Sequence, residues 1–261
     1  MKALGILILT FISAAAFAQD LKSSVGCDIS LQIVSENGTN ALGVTYDETS
    51  NRYYTAFAGN KIYPLEAFTA NGEFIFTTEL GIDARGFWFN SKSKCLEGLG
   101  YENMNKYSIP VNTLSGNATS AQLTIAETNS YGLEAQQVGV KCGKKEIMFV
   151  QNGSAYFFKK PLSKGKIVSL KLNSSSDVLN QISPIYTGVK GKEIGLFNAE
   201  EMSVEFYSAS NGAYSGKVRL DYSACSDEID SPYSFRFAYA NNKVWVYDTY
   251  SRSWLGFSIW N

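Results

Sequence analysis

The chain has 261 residues, 45% hydrophobic and 14% aromatic, with 23 Lys and Arg against 24 Asp and Glu and a formal net charge of -1. It has no histidine, which excludes a Ser-His-Asp triad, a Cys-His pair, a His general base and any His-ligated metal. Lysine and arginine are dispersed along the sequence, which argues against a nucleic-acid partner, since phosphate binding relies on a concentrated basic face.

Met1-Lys2, the apolar stretch Ala3 to Phe17 and the small-x-small run Ala16-Phe17-Ala18 form the pattern of a signal peptide. Residues 1–18 are therefore expected to be removed, leaving 19–261 as a single domain exported to the periplasm or the extracellular medium. The leader is too short for a comfortable span and no comparable stretch follows it, so no transmembrane segment is expected in the mature chain.

From there the chain reads as strands and turns, with runs of Val, Ile, Phe, Tyr and Thr between Gly, Asn and Ser clusters. Leu31-Gln32-Ile33-Val34 is an orphan strand closed by Glu36-Asn37-Gly38. Gly43 to Asp47, Tyr53 to Phe57, Ile62 to Leu65 and Phe74 to Phe76 then read as four short strands in succession. Comparable units begin at Gly86, Gly139, Gly195 and Phe237, with spacings of 43, 53, 56 and 42 residues from Gly43 onward. A period of this size is that of a four-stranded propeller blade.

The expected fold is thus all-β, a β-propeller of about five blades, or six if another lies between Ser174 and Gly188. The last unit shows three strands before the chain ends, and the orphan strand near Asp28 to Val34 supplies the missing fourth, removing a free edge. A pair of β-sandwiches is the competing architecture.

Gly43-Val44-Thr45-Tyr46-Asp47 with Tyr53-Tyr54, Asn71-Gly72 and Gly81 to Phe87 resembles the NHL and YVTN type of propeller repeat. Val244 to Thr249 with Trp254 is similar to a kelch-style blade. The resemblance covers roughly Ala41 to Phe89, and it implies a fold and no particular activity.

Four cysteines in an exported chain suggest two disulfides. Cys27 with Cys225 would tie the N-terminal strand to the start of the last blade, and Cys95 with Cys142 would join neighbouring blades. None of the four has metal-ligand spacing. Asp47 and Asp248 follow apolar strands as turn formers, without a continuous calcium loop. No metal site and no cofactor are expected.

A propeller site is expected at one mouth of the central channel, where the residues leading the second blade are Asp83 and Arg85, with Trp88 just beyond. Their plainer use is structural, Asp83 bonding local backbone and Arg85 pairing with an acid. The expected function is a monomeric, non-catalytic binding or scaffold module that holds a protein or glycan through loops at one face. The alternative is a carbohydrate-active enzyme with paired carboxylates in the channel. The adjacent acids Glu200-Glu201 and Asp227-Glu228 do not serve it, because neighbours on a strand point to opposite faces.

Overall fold

The computed structural model describes residues 20–38, 40–101, 104–117, 120–126, 131–134, 136–144, 146–160, 163, 165–230 and 235–261. The leader expected over residues 1–18 lies outside them. Strand β1 spans Ser24–Gln32. Next come β2 (Asn40–Asp47), β3 (Arg52–Ala58), β4 (Pro64–Thr69) and β5 (Phe74–Glu79), then β6 (Ala84–Asn90), β7 (Cys95–Gly100), β8 (Lys106–Pro110) and β9 (Thr124–Ala126). They are followed by β10 (Val140–Cys142), β11 (Glu146–Gln151), β12 (Ser154–Phe158) and β13 (Lys166–Ser169), and by β14 (Leu179–Tyr186), β15 (Ile194–Asn198), β16 (Ser203–Tyr207) and β17 (Tyr214–Asp221). The last are β18 (Phe237–Ala240), β19 (Lys243–Asp248) and β20 (Ser253–Ser258).

Strands β2 to β5, β6 to β9 and β10 to β13 each make a four-stranded antiparallel sheet in chain order. The remaining strands join in one eight-stranded sheet, ordered β14-β15-β16-β17-β1-β20-β19-β18. Strand β1 is responsible for the join. It lies antiparallel to β20, with Leu31 opposite Trp254, and its first residues run parallel to β17, with Ser24 opposite Arg219. The separate blades expected from the repeat therefore meet four sheets, because the strand that completes the last array also covers the edge of the one before it.

The leading strands β2, β6, β10, β14 and β18 stand side by side around a common axis, and hydrogen bonds link each to the next. Phe89 N donates to Thr45 Oγ1 at 2.8 Å, Gly139 N to Arg85 O at 2.8 Å and Val138 N to Ile182 O at 2.9 Å. Ser183 Oγ donates to Phe237 O at 3.0 Å, and Arg236 N donates to Ala41 O at 2.8 Å, which returns to the first array. Gly86 is needed at this girdle. A Cβ there would lie 2.6 Å from Gly139 O.

Alternating side chains leave each array with two apolar faces, and these are buried against its neighbours. Leu42, Leu65, Leu96 and Tyr107 share one such core, and Trp88, Leu99, Ile147 and Phe149 the next. Met148, Val168, Leu196 and Tyr207 follow, then Phe197, Val218, Val246 and Phe257. Leu31, Tyr53, Phe57, Trp245 and Trp254 close the circuit. Large aromatic groups fill the widening gap between sheets.

Four hairpins share one turn. Asp47, Asn90, Asn198 and Asp248 each accept from a backbone N–H two or three residues on. Four residues further along from each, Asn51, Lys94, Met202 and Arg252 adopt φ of 52°, 56°, 46° and 52°. In the first two arrays this hairpin joins strands one and two, but β15/β16 and β19/β20 are strands two and three. Gly195 is therefore not equivalent to Gly43 and Gly86. The leading strand of its array is β14, inside the segment Ser174 to Gly188, which the sequence left open as the place of a sixth blade.

Buried acids fasten the linkers. Glu66 accepts from Val34 N and Ser35 N at 3.1 and 2.7 Å, pinning the chain between β1 and β2. Burial raises its pKa. Glu205 holds the linker before β14 through Asn173 Nδ2 at 3.1 Å and Ser174 N at 3.4 Å, and it also accepts from Tyr207 Oη. Burial pushes the Glu205 carboxyl up, but these donors outweigh it and hold the pKa below the ordinary value.

Cys27 and Cys225 form a disulfide across the seam where β1 inserts, with Cα atoms 5.9 Å apart. The other expected pairing is wrong. Cys95 and Cys142 are buried free thiols. Cys95 opens β7 and its thiol donates to Ser93 O, whereas Cys142 ends β10 in the core of Met148, Val150 and Leu196, where burial pushes its thiol up to about 12.

Two outcomes follow from this arrangement. The unreduced, denatured protein is expected to titrate two thiols per chain, with the Cys27 and Cys225 peptides linked on a map; the double change Cys27→Ser/Cys225→Ser should cost about 2–5 kcal/mol in urea unfolding. Glu205 has a lowered folded pKa, so its contribution is complete above about 4.5 and is lost as pH falls through the folded value. Glu205→Gln is expected to cost about 1–3 kcal/mol at neutral pH and to flatten the acid limb of a stability-against-pH curve.

Candidate functional site

Because successive strands alternate in direction, each turn falls on one of two faces. The segments that lead the first strands, and the turns between second and third strands, lie on what we term the upper face. Turns between first and second, and between third and fourth strands, lie on the lower face.

The axial cavity has a volume of about 100 Å³ and is walled by stretches of the leading strands, including Gly43 to Thr45, Phe87, Trp88, Val138 to Lys141, Ser183 to Tyr186 and Phe237 to Tyr239. Among the described residues this wall has no Asp or Glu, and Lys141 is its charged member. The Lys141 ammonium lies 5.7 Å from the Trp88 ring centroid and 3.9 Å from Glu97 Oε2. That same oxygen is 2.9 Å from Lys106 Nζ, so two lysines share one carboxylate. Glu97 also accepts from Trp88 Nε1 at 3.3 Å and Asn90 Nδ2 at 2.7 Å. Burial raises its pKa, but Lys106, Asn90 and Ser93 together bring it below the ordinary value.

Asp83 and Arg85 sit at the upper face. Asp83 precedes β6, reached through Gly81 at φ 84°, and its Oδ1 accepts from Gly59 N at 2.7 Å. Its carbonyl accepts from Tyr101 N at 2.6 Å, so it ties the first sheet to the end of β7. The Arg85 guanidinium is buried, pairs with the Asp83 carboxylate and donates to Ala84 O at 2.8 Å. It lies 4.5 Å from the Tyr101 ring centroid and 5.1 Å from that of Phe235. The charge is thus sandwiched between rings and held by one carboxylate.

Beside this pair is a pocket of about 120 Å³ lined by Lys61, Ile82, Asp83, Tyr101, Asn105 and Ile125. Tyr101 is 38% exposed and Ile125 51%. The Asp83 side chain keeps 23% of its surface in contact with solvent. The pocket therefore offers a braced aromatic plane, an apolar side chain, a carboxylate, an amide and a cation.

Trp88 does not join Asp83 and Arg85. Five residues of strand separate it from Asp83 by roughly 16 Å, and its buried ring belongs to the axial wall and the core shared with Ile147 and Phe149. Tyr101, Asn105, Lys61 and Ile125 were not identified from sequence. Gly100-Tyr101 reads as a strand end, and Ile125 reaches the pocket only through the register that sets it opposite Tyr107. Asp47 and Asp248 are used by their own turns.

No family model matches the sequence, and no curated protein matches it. Among solved structures, the fold is similar to the glutaminyl cyclase of Myxococcus xanthus, with a TM-score of 0.55 and 12% identity over 90% of this chain and 97% of that one. The mitotic checkpoint complex gives 0.42 with 7% identity over 100% and 99%. The nidogen/laminin complex gives 0.40 with 11% identity over 77% and 81%. The first likeness, with the repeated four-stranded arrays, shows a propeller-like all-β fold. It shows no more than the fold.

Removing the Asp83 carboxylate strands a buried cation, whereas removing Tyr101 takes away one ring. Asp83→Ala is expected to destabilise by about 2–3 kcal/mol and Tyr101→Ala by about 0.5–1 kcal/mol, measured by urea unfolding.

Proposed function

We propose that the chain is an exported, monomeric, single-domain β-propeller of five blades, closed by its N-terminal strand, that acts as a non-catalytic recognition module for a protein or glycan. The ligand is held at the upper face between the first two blades. The observation that carries this reading is the exposed Tyr101 plane, braced from beneath by the Arg85–Asp83 pair and bordered by Lys61, Asn105 and Ile125. A rigid aromatic surface with polar groups at its margin suits a sugar ring or a peptide side chain, and ordering it costs little entropy because Tyr101 is already fixed.

The ring of leading strands supports the blade count, and the repeated hairpin turn supports the likeness to NHL and YVTN blades. The Cys27–Cys225 bond suits an oxidising compartment. Among the described residues no helix is long and apolar enough to cross a membrane.

The carboxylate-based enzyme is the weaker reading. Hydrolysis of that kind needs two facing acids in the pocket, and among the described residues the axial wall has none. The buried acids Glu66, Glu97 and Glu205 are occupied with linkers, lysines or hydroxyls, and the buried Asp47 and Asp248 with their own turns. At 12% identity the likeness to a glutaminyl cyclase brings no residue role with it.

Arrays of neutral oligosaccharides and of peptides test the proposal. Features bound by the wild type are expected to be lost with Tyr101→Ala and Ile125→Ser, and recovered oligosaccharides should keep their length. Shortened products would favour the enzyme, and binding indifferent to both substitutions would remove this pocket from the function.

A further inference from the structure

The net charge of -1 conceals a separation along the ring axis. Turns of the second to fourth arrays on the lower face bear Lys92, Lys94, Lys144, Lys190 and Lys192, with Lys159-Lys160 on a third-to-fourth turn. The acids on those same turns are Glu146 and Glu193, and Glu193 accepts from Ala209 N. On the upper face acids outnumber bases, although Lys61 and Arg85 also lie there. Glu200 and Glu201 lie in its β15/β16 turn, and Asp221, Asp227, Glu228 and Asp230 lie at the end of β17 and in the linker that follows.

Within the lower face is a groove of about 550 Å³ between the second and third sheets, lined by Phe89, Asn90, Ser91, Lys92, Lys141 and Lys144 with Gly143. Lys92 and Lys144 are exposed on its two sides. Lys141 stands between the groove and the axial cavity, since it lines both. It lies 3.9 Å from a carboxylate that Lys106 approaches to 2.9 Å. A single negative charge is thus shared by two ammonium groups, which leaves the groove wall with net positive charge. Among the described residues no acid lines the groove.

We infer that this groove is a second binding site, for a polysaccharide chain bearing carboxylate or sulfate groups. The lysines bind its anionic groups, Ser91 binds a hydroxyl, and Phe89 offers one face to a sugar ring. A chain fits better than a small anion, because the lysines continue beyond the groove onto the turns of neighbouring arrays. A concave polar groove does not suit a bilayer, and the exposed apolar residues of this face, Phe74, Ile167 and Tyr214, belong to fourth strands of separate arrays and do not line it. Serial stacking of nucleic-acid bases needs several aromatic planes, and Phe89 is the aromatic residue in this lining. The inference is independent of the upper-face pocket.

Fluorescence anisotropy with labelled polygalacturonate oligomers on the mature chain tests it, alongside neutral dextran, phosphatidylglycerol vesicles and a single-stranded DNA oligomer. Polygalacturonate should bind, weaken steeply with added salt, and outcompete the other three. Lys92→Glu/Lys144→Glu, both at exposed positions, should weaken binding by at least about tenfold, two surface ion pairs' worth, while Tyr101→Ala leaves it unchanged. Equal binding of dextran, tighter binding of vesicles or DNA, or a smaller loss in the double variant would overturn the assignment.

Discussion

The pairing of β1 with β20 is the contact on which the rest of the architecture depends. Sheets arranged around an axis protect one another's faces, but the first and last must also meet, or two apolar faces and a strand edge stay open to water. Strand β1 completes the array of β18, β19 and β20 along one side and covers the edge of β17 along the other. Leu31 of that strand packs into the same core as Trp245 and Trp254. Reinforcement is concentrated at this seam. The disulfide crosses it, Glu66 fixes the chain as it leaves, and Arg252 Nη2 donates to Ser35 O at 2.6 Å.

Much of this was legible in the sequence. Strand character follows from β-branched and aromatic runs between turn residues, and the missing fourth strand of the final unit pointed to β1. Disulfide pairing at the seam followed from the same closure. The fourth array was misread for a physical reason. Its most regular hairpin, Gly195 to Tyr207, looks like those at Gly43 and Gly86, but here the motif occupies the second and third strands. The true leading strand contains Asn180, Gln181, Ser183 and Pro184, a composition that does not resemble a buried strand. Its polar groups serve the girdle, Asn180 Oδ1 accepting from Ile182 N and Ser183 N, and Ser183 bonding across to β18.

The candidate site was partly legible. Asp83 and Arg85 were marked by position alone, and their pairing agrees with the structural use weighed for them. Tyr101 could not have been identified without knowing that β7 ends beside the segment that leads β6. Charge separation was hidden for a similar reason. Strands reverse direction at every turn, so alternate turns go to opposite faces, and acidic and basic segments that interleave along the chain are sorted by turn parity. Composition and segment-wise charge cannot register that sorting.

Closure by β1 also sets an order of events. Strand β1 must find partners in β17 and β20, some two hundred residues later in the chain, so its contacts are among those of large sequence separation and must await the synthesis of both strands. Until then the nascent molecule exposes two complementary vacancies, the edge of β17 and that of β20, separated by a gap one strand wide. Another copy's β1 has the same shape and the same hydrogen-bonding pattern as the native one, so strand exchange between copies is the error this topology invites. The covalent link between Cys27 and Cys225, once formed within a chain, makes that error unavailable, which gives the bond a role in fidelity distinct from its role in stability.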